Sequence, residues 1–297
     1  MGQKVFVTGG SGVLGRRLVP RLVEAGHQVT AVARSEEKAR TLRVVGATPT
    51  EVDLFDRSAL RVALAGHDCV VQMATNIPTG PAATDPSAWR VNDSLRRVAA
   101  PAIAGAATDV GVGRYIQESI TFPYVDGSDK WVDEEYERSY NSATDSVAAA
   151  EAAAAGVTNA GGVGIVLRFA MFMAPDSAHT ASLYCAAQRG LFGLVGDLEG
   201  YVSFIHMNDA AAAVVAALAV PAGTYNVAEP DPVRRSEHRR ALAGAVDRSQ
   251  LEPIPAPSGG SGTNILARSH RISSQRLRDV SSWTPTVHCV DHWKDVR

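Results

Sequence analysis

The 297-residue sequence lacks several features that would assign it to a broad class at once. No run approaches the ~20 apolar residues of a membrane-spanning helix, and the amino terminus enters a strand pattern without a cleavable signal. Its three cysteines are odd in number and far apart, which argues against a disulfide framework. A formal charge of −2 without a basic tract argues against nucleic acid or an anionic membrane as partner. We therefore expect a cytoplasmic protein.

What the sequence does contain is an alternation of strand-like and helix-like periodicity. It starts with KVFVTG and GVLGRRLVPRLVEAG and continues to the buried runs GRYIQESI and GVGIVLRFA. Strands that alternate with helices predict right-handed crossovers, and therefore a parallel sheet with helices on both faces. Near the carboxyl terminus the alternation loosens, and PIPAPSGGSG is predicted to be a loop.

Three glycines follow the first strand and open the first helix. Gly9, Gly12 and Gly15 have the spacing G-x-x-G-x-x-G. In this context the first permits a tight turn, the second lets the backbone approach a pyrophosphate, and the third packs the helix on the strand. The helix N-terminus then offers unpaired N–H groups to the phosphates. The strand–turn–helix context favours a dinucleotide site over a glycine-rich turn without a ligand.

The residue at the end of the second strand predicts which dinucleotide binds. NAD-preferring proteins usually carry an acid there, which binds the ribose hydroxyls, but VTAVARS ends in Arg34. The planar guanidinium of an arginine can pair with a 2′-phosphate. Glu36 and Glu37 fall in the next helix's first turn, where acids favour the helix dipole. We therefore predict NADPH as the cofactor, with NADH as a weaker alternative. The non-functional interpretation is that Arg34 is only a solvated surface charge.

Several segments resemble those of extended short-chain dehydrogenases/reductases along nearly the whole chain. TGGSGVLG is similar to that family's T-G-x-x-G-x-x-G, EVDLFD to its adenine-contacting turn and WRVND to its helix with an asparagine, here Asn92. RFAMFMAP resembles the turn after its sixth strand, and FIHMNDAA a later motif. The resemblance implies a Rossmann α/β fold, with a doubly wound parallel sheet and a smaller discontinuous α/β substrate domain.

The resemblance also implies domain boundaries and a cofactor site. Residues 1–170 should form mainly the NADP-binding Rossmann domain, completed by about 200–228, and residues 171–297 mainly the substrate domain. The implied cofactor-binding residues are Gly9, Gly10, Ser11, Gly12, Val13, Leu14, Gly15, Arg34, Asp53, Leu54, Met73, Ala74, Thr75, Phe169, Ala170 and Met171.

The resemblance fails at YNSATDSVAAAEAAAA, residues 140–155. The family places a Tyr-x-x-x-Lys pair on the helix after its fifth strand, commonly followed four residues later by Glu. With Glu151 as that Glu, Val147 takes the lysine position and Ala143 the tyrosine position. The chain contains no Y-x-x-x-K, and its four lysines lie elsewhere. The family serine position is best matched by Ile120. The chain is thus predicted to be an atypical member without the usual acid.

Carbonyl reduction without that acid is chemically possible. General acid catalysis contributes ~100- to 10,000-fold, whereas orientation can be worth ~7–11 kcal/mol. Orientation could suffice for an electrophilic ketone whose neighbouring phenol hydrogen-bonds the developing alkoxide, with solvent supplying the proton. The weak candidates for a proton donor in the protein are Thr121, Tyr124 and Ser119.

Aromatic and thioether side chains follow the fifth and sixth strands, at the sheet edge where ligands bind. They could pack on a large, flat substrate, although ordinary core packing is as good an explanation for any one of them. The candidate substrate-binding residues are Phe122, Pro123, Tyr124, Met171, Phe172 and His206. This combination is similar to the angucyclinone ketoreductases of antibiotic biosynthesis, the simocyclinone type most of all, which implies an aromatic polyketide ketone as substrate.

Three functions remain open at this point. The first is an NADPH-dependent ketoreductase; the second is a catalytically inactive NADPH-sensing or NADPH-binding protein; the third, ranked last, is an epimerase or dehydratase, which generally needs the tyrosine. We expect a small-molecule aromatic ketone as the substrate, and a monomer or a homodimer. His288 and His292 have the spacing of metal ligands, but they lie in the last ten residues, and we expect no metal.

Overall fold

The elements below come from a computed structural model, which describes residues 2–80, 82, 85–254 and 263–296. The strands are β1 (Lys4–Thr8), β2 (Gln28–Val32), β3 (Thr48–Thr50), β4 (Cys69–Gln72), β5 (Arg114–Ile120), β6 (Trp131–Val132), β7 (Val163–Phe169), β8 (Met171–Met173), β9 (Leu191–Phe192), β10 (Tyr201–Val202), β11 (Phe204–His206), β12 (Gly223–Val227), β13 (Val233–Arg234), β14 (Glu252–Pro253) and β15 (Arg271–Ile272).

The described α-helices alternate with the strands through the first half of the chain, as the sequence patterns predict. They are α1 (Gly15–Glu24), α2 (Glu36–Val44), α3 (Arg57–Leu64), α4 (Arg90–Ser94), α5 (Ala100–Asp109), α6 (Ser146–Asn159), α7 (Ala178–Gln188), α8 (Met207–Ala217), α9 (Arg235–Ala245) and α10 (Gln275–Asp279). A π-helical turn (Leu95–Ala99) joins α4 to α5, and a 3-10 helix (Cys289–Asp295) lies near the carboxyl terminus. None of the described helices is long and apolar enough to cross a membrane.

Seven strands form one sheet in the order β12-β7-β5-β4-β1-β2-β3, and every neighbouring pair is parallel. From β1 the chain runs outward through β2 and β3, then returns to place β4, β5, β7 and β12 on the other side. The strand order therefore reverses between β1 and β4, which is where such sheets bind ligands at their carboxyl edge. This topology confirms the predicted doubly wound α/β fold.

Helices cover both faces of the sheet. On one face, Leu18 and Leu22 of α1 share an apolar cluster with Val214 of α8. On the other, Leu60 of α3 and Ile103 of α5 share a second cluster with alanines of α6. Because both faces are covered, the central strands are buried along nearly their whole length rather than at alternate residues, as β4 and β5 show.

A third apolar cluster lies outside the central sheet. It joins Leu183 of α7, Phe204 of β11, Leu242 of α9 and Trp293 of the carboxyl-terminal 3-10 helix. The short pairs β8–β11 and β9–β14 belong to this region. Its small strands explain why the regular alternation is lost in the second half of the sequence. The loop predicted at PIPAPSGGSG lies outside the described residues from position 255 onward.

The alanine-rich helix begins later than the resemblance implied. Residues 142–145 form a turn, and α6 starts at Ser146, so Ala143 is not on the helix. Side-chain hydrogen bonds compete with helix formation here: the Asn141 side chain accepts from the Ala143 backbone N–H at 3.0 Å, and the Thr144 hydroxyl bonds the same oxygen at 3.0 Å. Val147 is on the helix and buried.

Candidate functional site

The glycine loop lies at the carboxyl end of β1 against the end of β4. Gly9 has a φ of +70°, and a Cβ there would lie 2.6 Å from the carbonyl oxygen of Met73. A Cβ on Gly15 would collide with the carbonyl oxygen of Gly9. Gly12 is exposed, and Gly9 alone approaches its Cβ position, at 3.2 Å. The first and third glycines are thus required by packing, whereas the second leaves open backbone, the geometry that a pyrophosphate needs.

The predicted adenine side of the site is exposed. Arg34, just after β2, and Asp53, after β3, are both exposed, while Leu54 is half-buried. The acid two positions beyond Arg34, Glu36, pairs instead with Arg43 at 2.7 Å. The Arg34 guanidinium is therefore available at the surface, as a role in binding a 2′-phosphate requires.

The predicted nicotinamide side combines buried and accessible groups. The Thr8 hydroxyl accepts hydrogen bonds from the backbone N–H of Met73 at 3.1 Å and of Ala74 at 3.2 Å, which holds the segment after β4 beside the glycine loop. Thr75 is exposed. After β7, Phe169 and Ala170 are buried, and Met171 is half-buried. The structure thus brings all three predicted segments to the same edge of the sheet.

A network of charges holds the carboxyl ends of β5 and β7 to α6. Glu151 receives two hydrogen bonds of 2.8 Å from Arg168, one of 2.6 Å from Arg138 and one of 2.7 Å from the Ser119 hydroxyl. Burial acts to raise the pKa of Glu151, but the hydrogen bonds and charge of Arg168 outweigh it and lower the pKa. The Ser119 hydroxyl is committed to this network, which argues against Ser119 as a proton donor.

Tyr124 lies inside the core rather than at the surface of the site. Its hydroxyl donates to Asn226 Oδ1 at 2.8 Å and accepts from Arg168 Nη1 at 2.7 Å. The residue is fully buried, and burial raises its pKa to about 12, in opposition to Arg168. Thr121 is also buried. The structure therefore argues against Tyr124 as an acid or a substrate contact, because its hydroxyl is already satisfied by protein groups.

The other candidate substrate contacts include both accessible and inaccessible residues. Phe122, Met171 and Phe172 are half-buried at the sheet edge, whereas Pro123 is buried. His206 caps α8, and its Nδ1 accepts from the backbone N–H of Asn208 at 3.3 Å. This cap gives His206 a structural role at the junction of β11 and α8.

Two buried arginines lie at this edge that sequence reasoning missed. Arg168 binds Glu151, 17 residues earlier in the chain, and Arg96 binds Glu118 at 2.9 Å, 22 residues later. Arg168 lies within the RFAMFMAP motif, so the family spacing was a usable signal for it. Arg96 had no such signal, because an arginine on a predicted helix is normally a surface residue.

A comparison with known families decides the class of cofactor. A profile described as NAD(P)H-binding matches residues 9–221, from the first glycine of the loop to the start of β12. The chain belongs to the NAD(P)H-binding family. The predicted NAD(P)H cofactor class is thereby confirmed, and the open backbone at Gly12 fits such a cofactor. Relatives that are named reductases confirm the predicted oxidoreductase class.

Individual relatives add detail. The 3-diazoavenalumate denitrifying reductase of Streptomyces sp is 28% identical over 98% of this chain and 98% of that protein. The 4-hydroxy-2-methyl-3-oxo-4-farnesyl-3,4-dihydroquinoline-1-oxide ketoreductase of Stigmatella aurantiaca is 36% identical, over only 42% of this chain and 35% of that protein. The dTDP-glucose 4,6-dehydratase DesIV of Streptomyces venezuelae, solved with NAD and TYD, has a TM-score of 0.80 at 18% identity, covering 99% of this chain and 95% of that chain. The last likeness shows the fold.

Proposed function

We propose that this protein is an NADPH-dependent ketoreductase that acts on a ketone of a large aromatic polyketide without the usual tyrosine and lysine. The observation that carries the proposal is the state of the polar groups around β5. The Ser119 hydroxyl donates to Glu151, the Tyr124 hydroxyl donates to Asn226, and Arg168 binds both Glu151 and Tyr124. These groups are therefore not free to give a proton to a substrate. Val147 and Ala143 offer none.

The cofactor part of the proposal rests on the glycine loop and on Arg34. Bound NADPH would supply a hydride. The loop from Gly9 to Gly15 would hold the pyrophosphate, and the exposed Arg34 would bind the 2′-phosphate. The half-buried Met171 and Phe172 would hold and orient a flat substrate.

The substrate part is supported by two likenesses. One relative is named as the ketoreductase of an oxo-dihydroquinoline oxide, which is a ketone in a fused ring system. The sequence also resembles angucyclinone ketoreductases of antibiotic biosynthesis, of the simocyclinone type. A phenol beside the ketone would hydrogen-bond the developing alkoxide, which replaces part of what the missing tyrosine supplies.

The test is reduction of matched ketones with NADPH. The protein is incubated with α-tetralone, its peri-hydroxy derivative and a tetracyclic phenolic ketone, and NADPH absorbance and product mass are followed. We expect the peri-hydroxy compound to be reduced at least ~10-fold faster than α-tetralone, because only the former carries its own hydrogen-bond donor. Tight NADPH binding without reduction of any ketone would favour the NADPH-sensing alternative.

A further inference from the structure

A buried ion pair lies beside the proposed site. Arg96, in the π-helical turn between α4 and α5, is only 1% exposed, and its Nη2 bonds Glu118 Oε1 at 2.9 Å. A π-helical turn of this kind is rare in proteins, and such turns often lie at functional sites. Glu118 is also buried.

The hydrogen-bonding capacity of this pair is largely unused. Within the described part of the chain, Nε and Nη1 of Arg96 and Oε2 of Glu118 have no hydrogen-bond partner. The same holds for Nδ2 of Asn92 and Oγ of Ser146. An unsatisfied buried polar group costs ~1–3 kcal/mol, and more when it is charged. Native proteins rarely leave so many such atoms unpaired unless another group binds there.

These unpaired donors lie at the carboxyl edge of the sheet, close to the start of α6. The last pairing between β4 and β5 joins Gln72 to Gln117, so Glu118 lies just beyond the end of β4. Ile120, at the family serine position, is two residues further along the same strand. This is the carboxyl edge of the sheet, one strand away from the point between β1 and β4 where the strand order reverses.

Residues next to Arg96 contact both the segment after β4 and helix α6. Asn92, one helical turn before Arg96, accepts at Oδ1 from the Asn76 backbone N–H at 3.1 Å, next to the predicted nicotinamide segment. The π-turn also packs against α6, and Arg97 pairs with Asp145 at its start at 2.5 Å. Arg96 therefore lies between the cofactor segment and the helix that lacks tyrosine and lysine.

We propose that Nε and Nη1 of Arg96 donate hydrogen bonds to the ketone oxygen of the substrate, with Glu118 positioning the guanidinium. The inference rests on the proposed ketoreductase function and requires the buried Arg96 donors to become accessible to the ketone at the carboxyl edge of the sheet. The carbonyl carbon receives a hydride from NADPH, which becomes NADP⁺, and the C=O π electrons move to oxygen. A guanidinium cannot give up its proton in a protein, so Arg96 stabilises the alkoxide and water protonates it.

The experiment replaces both charges at once. Removing one partner of a buried pair leaves an uncompensated charge and costs ~3–5 kcal/mol, whereas replacing both with apolar groups of similar volume is often neutral. The test variant is Arg96→Met/Glu118→Leu. Arg96→Lys keeps the charge but loses the fork, and it remains informative if the double variant fails to fold. The matched control is Arg57→Met/Asp109→Leu, an exposed pair of 2.9 Å between α3 and α5.

We expect the test variant to bind NADPH normally and to lose ~100-fold or more in kcat for peri-hydroxytetralone, with a smaller change in KM, because the donors act on the developing charge. Arg96→Lys should be intermediate and the control unchanged. A second readout is calorimetric binding of peri-dihydroxynaphthalene, which has the oxygens but no reducible ketone; the test variant should bind it at least ~10-fold more weakly.

The outcomes separate this inference from the proposed function. Wild-type kcat and analogue binding in the test variant, or in Arg96→Lys if that variant alone folds, would overturn the role of Arg96 and leave the ketoreductase standing. If the analogue binds in a way that depends on Arg96 but the protein reduces no ketone, the ketoreductase function would be overturned. The role of Arg96 as a hydrogen-bond donor to an oxygen atom of the ligand would then be supported. Neither reduction nor analogue binding in the wild type would overturn both.

Discussion

At the scale of single residues, cofactor choice depends on Arg34. Its guanidinium is exposed, and the nearby Glu36 is already paired with Arg43. A planar guanidinium can bind a phosphate through two parallel hydrogen bonds, which a ribose hydroxyl cannot match. An acid at this position would repel the phosphate and bind the hydroxyls instead.

Arg34→Asp should therefore reverse the preference between cofactors. Hydrogen bonds to charged groups are worth ~1.5–3 kcal/mol, so we expect the NADPH KM to rise ~10- to 100-fold while the NADH KM falls. Steady-state kinetics with both cofactors measures this, and the melting temperature is the control, since the side chain is exposed. An NADPH KM equal to that of the wild type would contradict the role of Arg34.

At the scale of elements, α6 carries a single acid, Glu151, and that acid binds the sheet. Glu151 connects it to β5 through Ser119 and to β7 through Arg168. Both members of the ion pair are largely buried, at 12% and 4% exposure. The helix is therefore a structural support whose single acid fixes the carboxyl ends of two strands.

Glu151→Gln should destabilise the fold, because it leaves Arg168 buried without a counter-charge; such losses are ~3–5 kcal/mol. The pKa of Glu151 is lowered in the folded protein, so its contribution is full above its ordinary value near 4.5 and is lost as the pH falls below it. Urea unfolding at neutral and acidic pH measures both effects. Glu36→Gln, which removes an exposed pair, is the matched control and should change little.

At the scale of the whole molecule, Glu229 connects distant parts of the chain. Its carboxyl accepts from the backbone N–H of Phe204 in β11 at 3.0 Å and of Cys289 near the carboxyl terminus at 2.8 Å. Burial raises its pKa to about 7, against the effect of these hydrogen bonds. The folded protein therefore holds a proton that the unfolded chain has lost at the same pH.

The stability should consequently fall as the pH rises from about 4.5 to about 7, because in this window the folded state binds the proton and the unfolded state does not. The shift corresponds to about 3 kcal/mol. Glu229→Gln should be less stable at low pH but should lose this slope. Denaturant unfolding across the pH range tests it, and a variant with the slope of the wild type would show that another group is responsible.

The elements were largely predictable because their signals are local. Strand periodicity, glycine spacing and the reversal of strand order all follow from short segments and their sequence order. The start of α6 was not predicted, because the Asn141 and Thr144 side chains favour a turn where the family resemblance implied a helix. The burial of Tyr124 was equally hidden, since its partner Asn226 lies 102 residues away.

By itself, the sequence determined the glycine loop, the arginine after β2 and the absence of a Tyr-x-x-x-Lys pair, because each is a pattern of neighbouring residues with a known mechanical task. Only the tertiary structure decided which polar groups are already satisfied. It bonded Ser119 to Glu151 and Tyr124 to Asn226, and it left the Arg96 donors unpaired at the same edge of the sheet. Hydrogen-bond satisfaction depends on groups that are far apart in the chain and meet only when it folds.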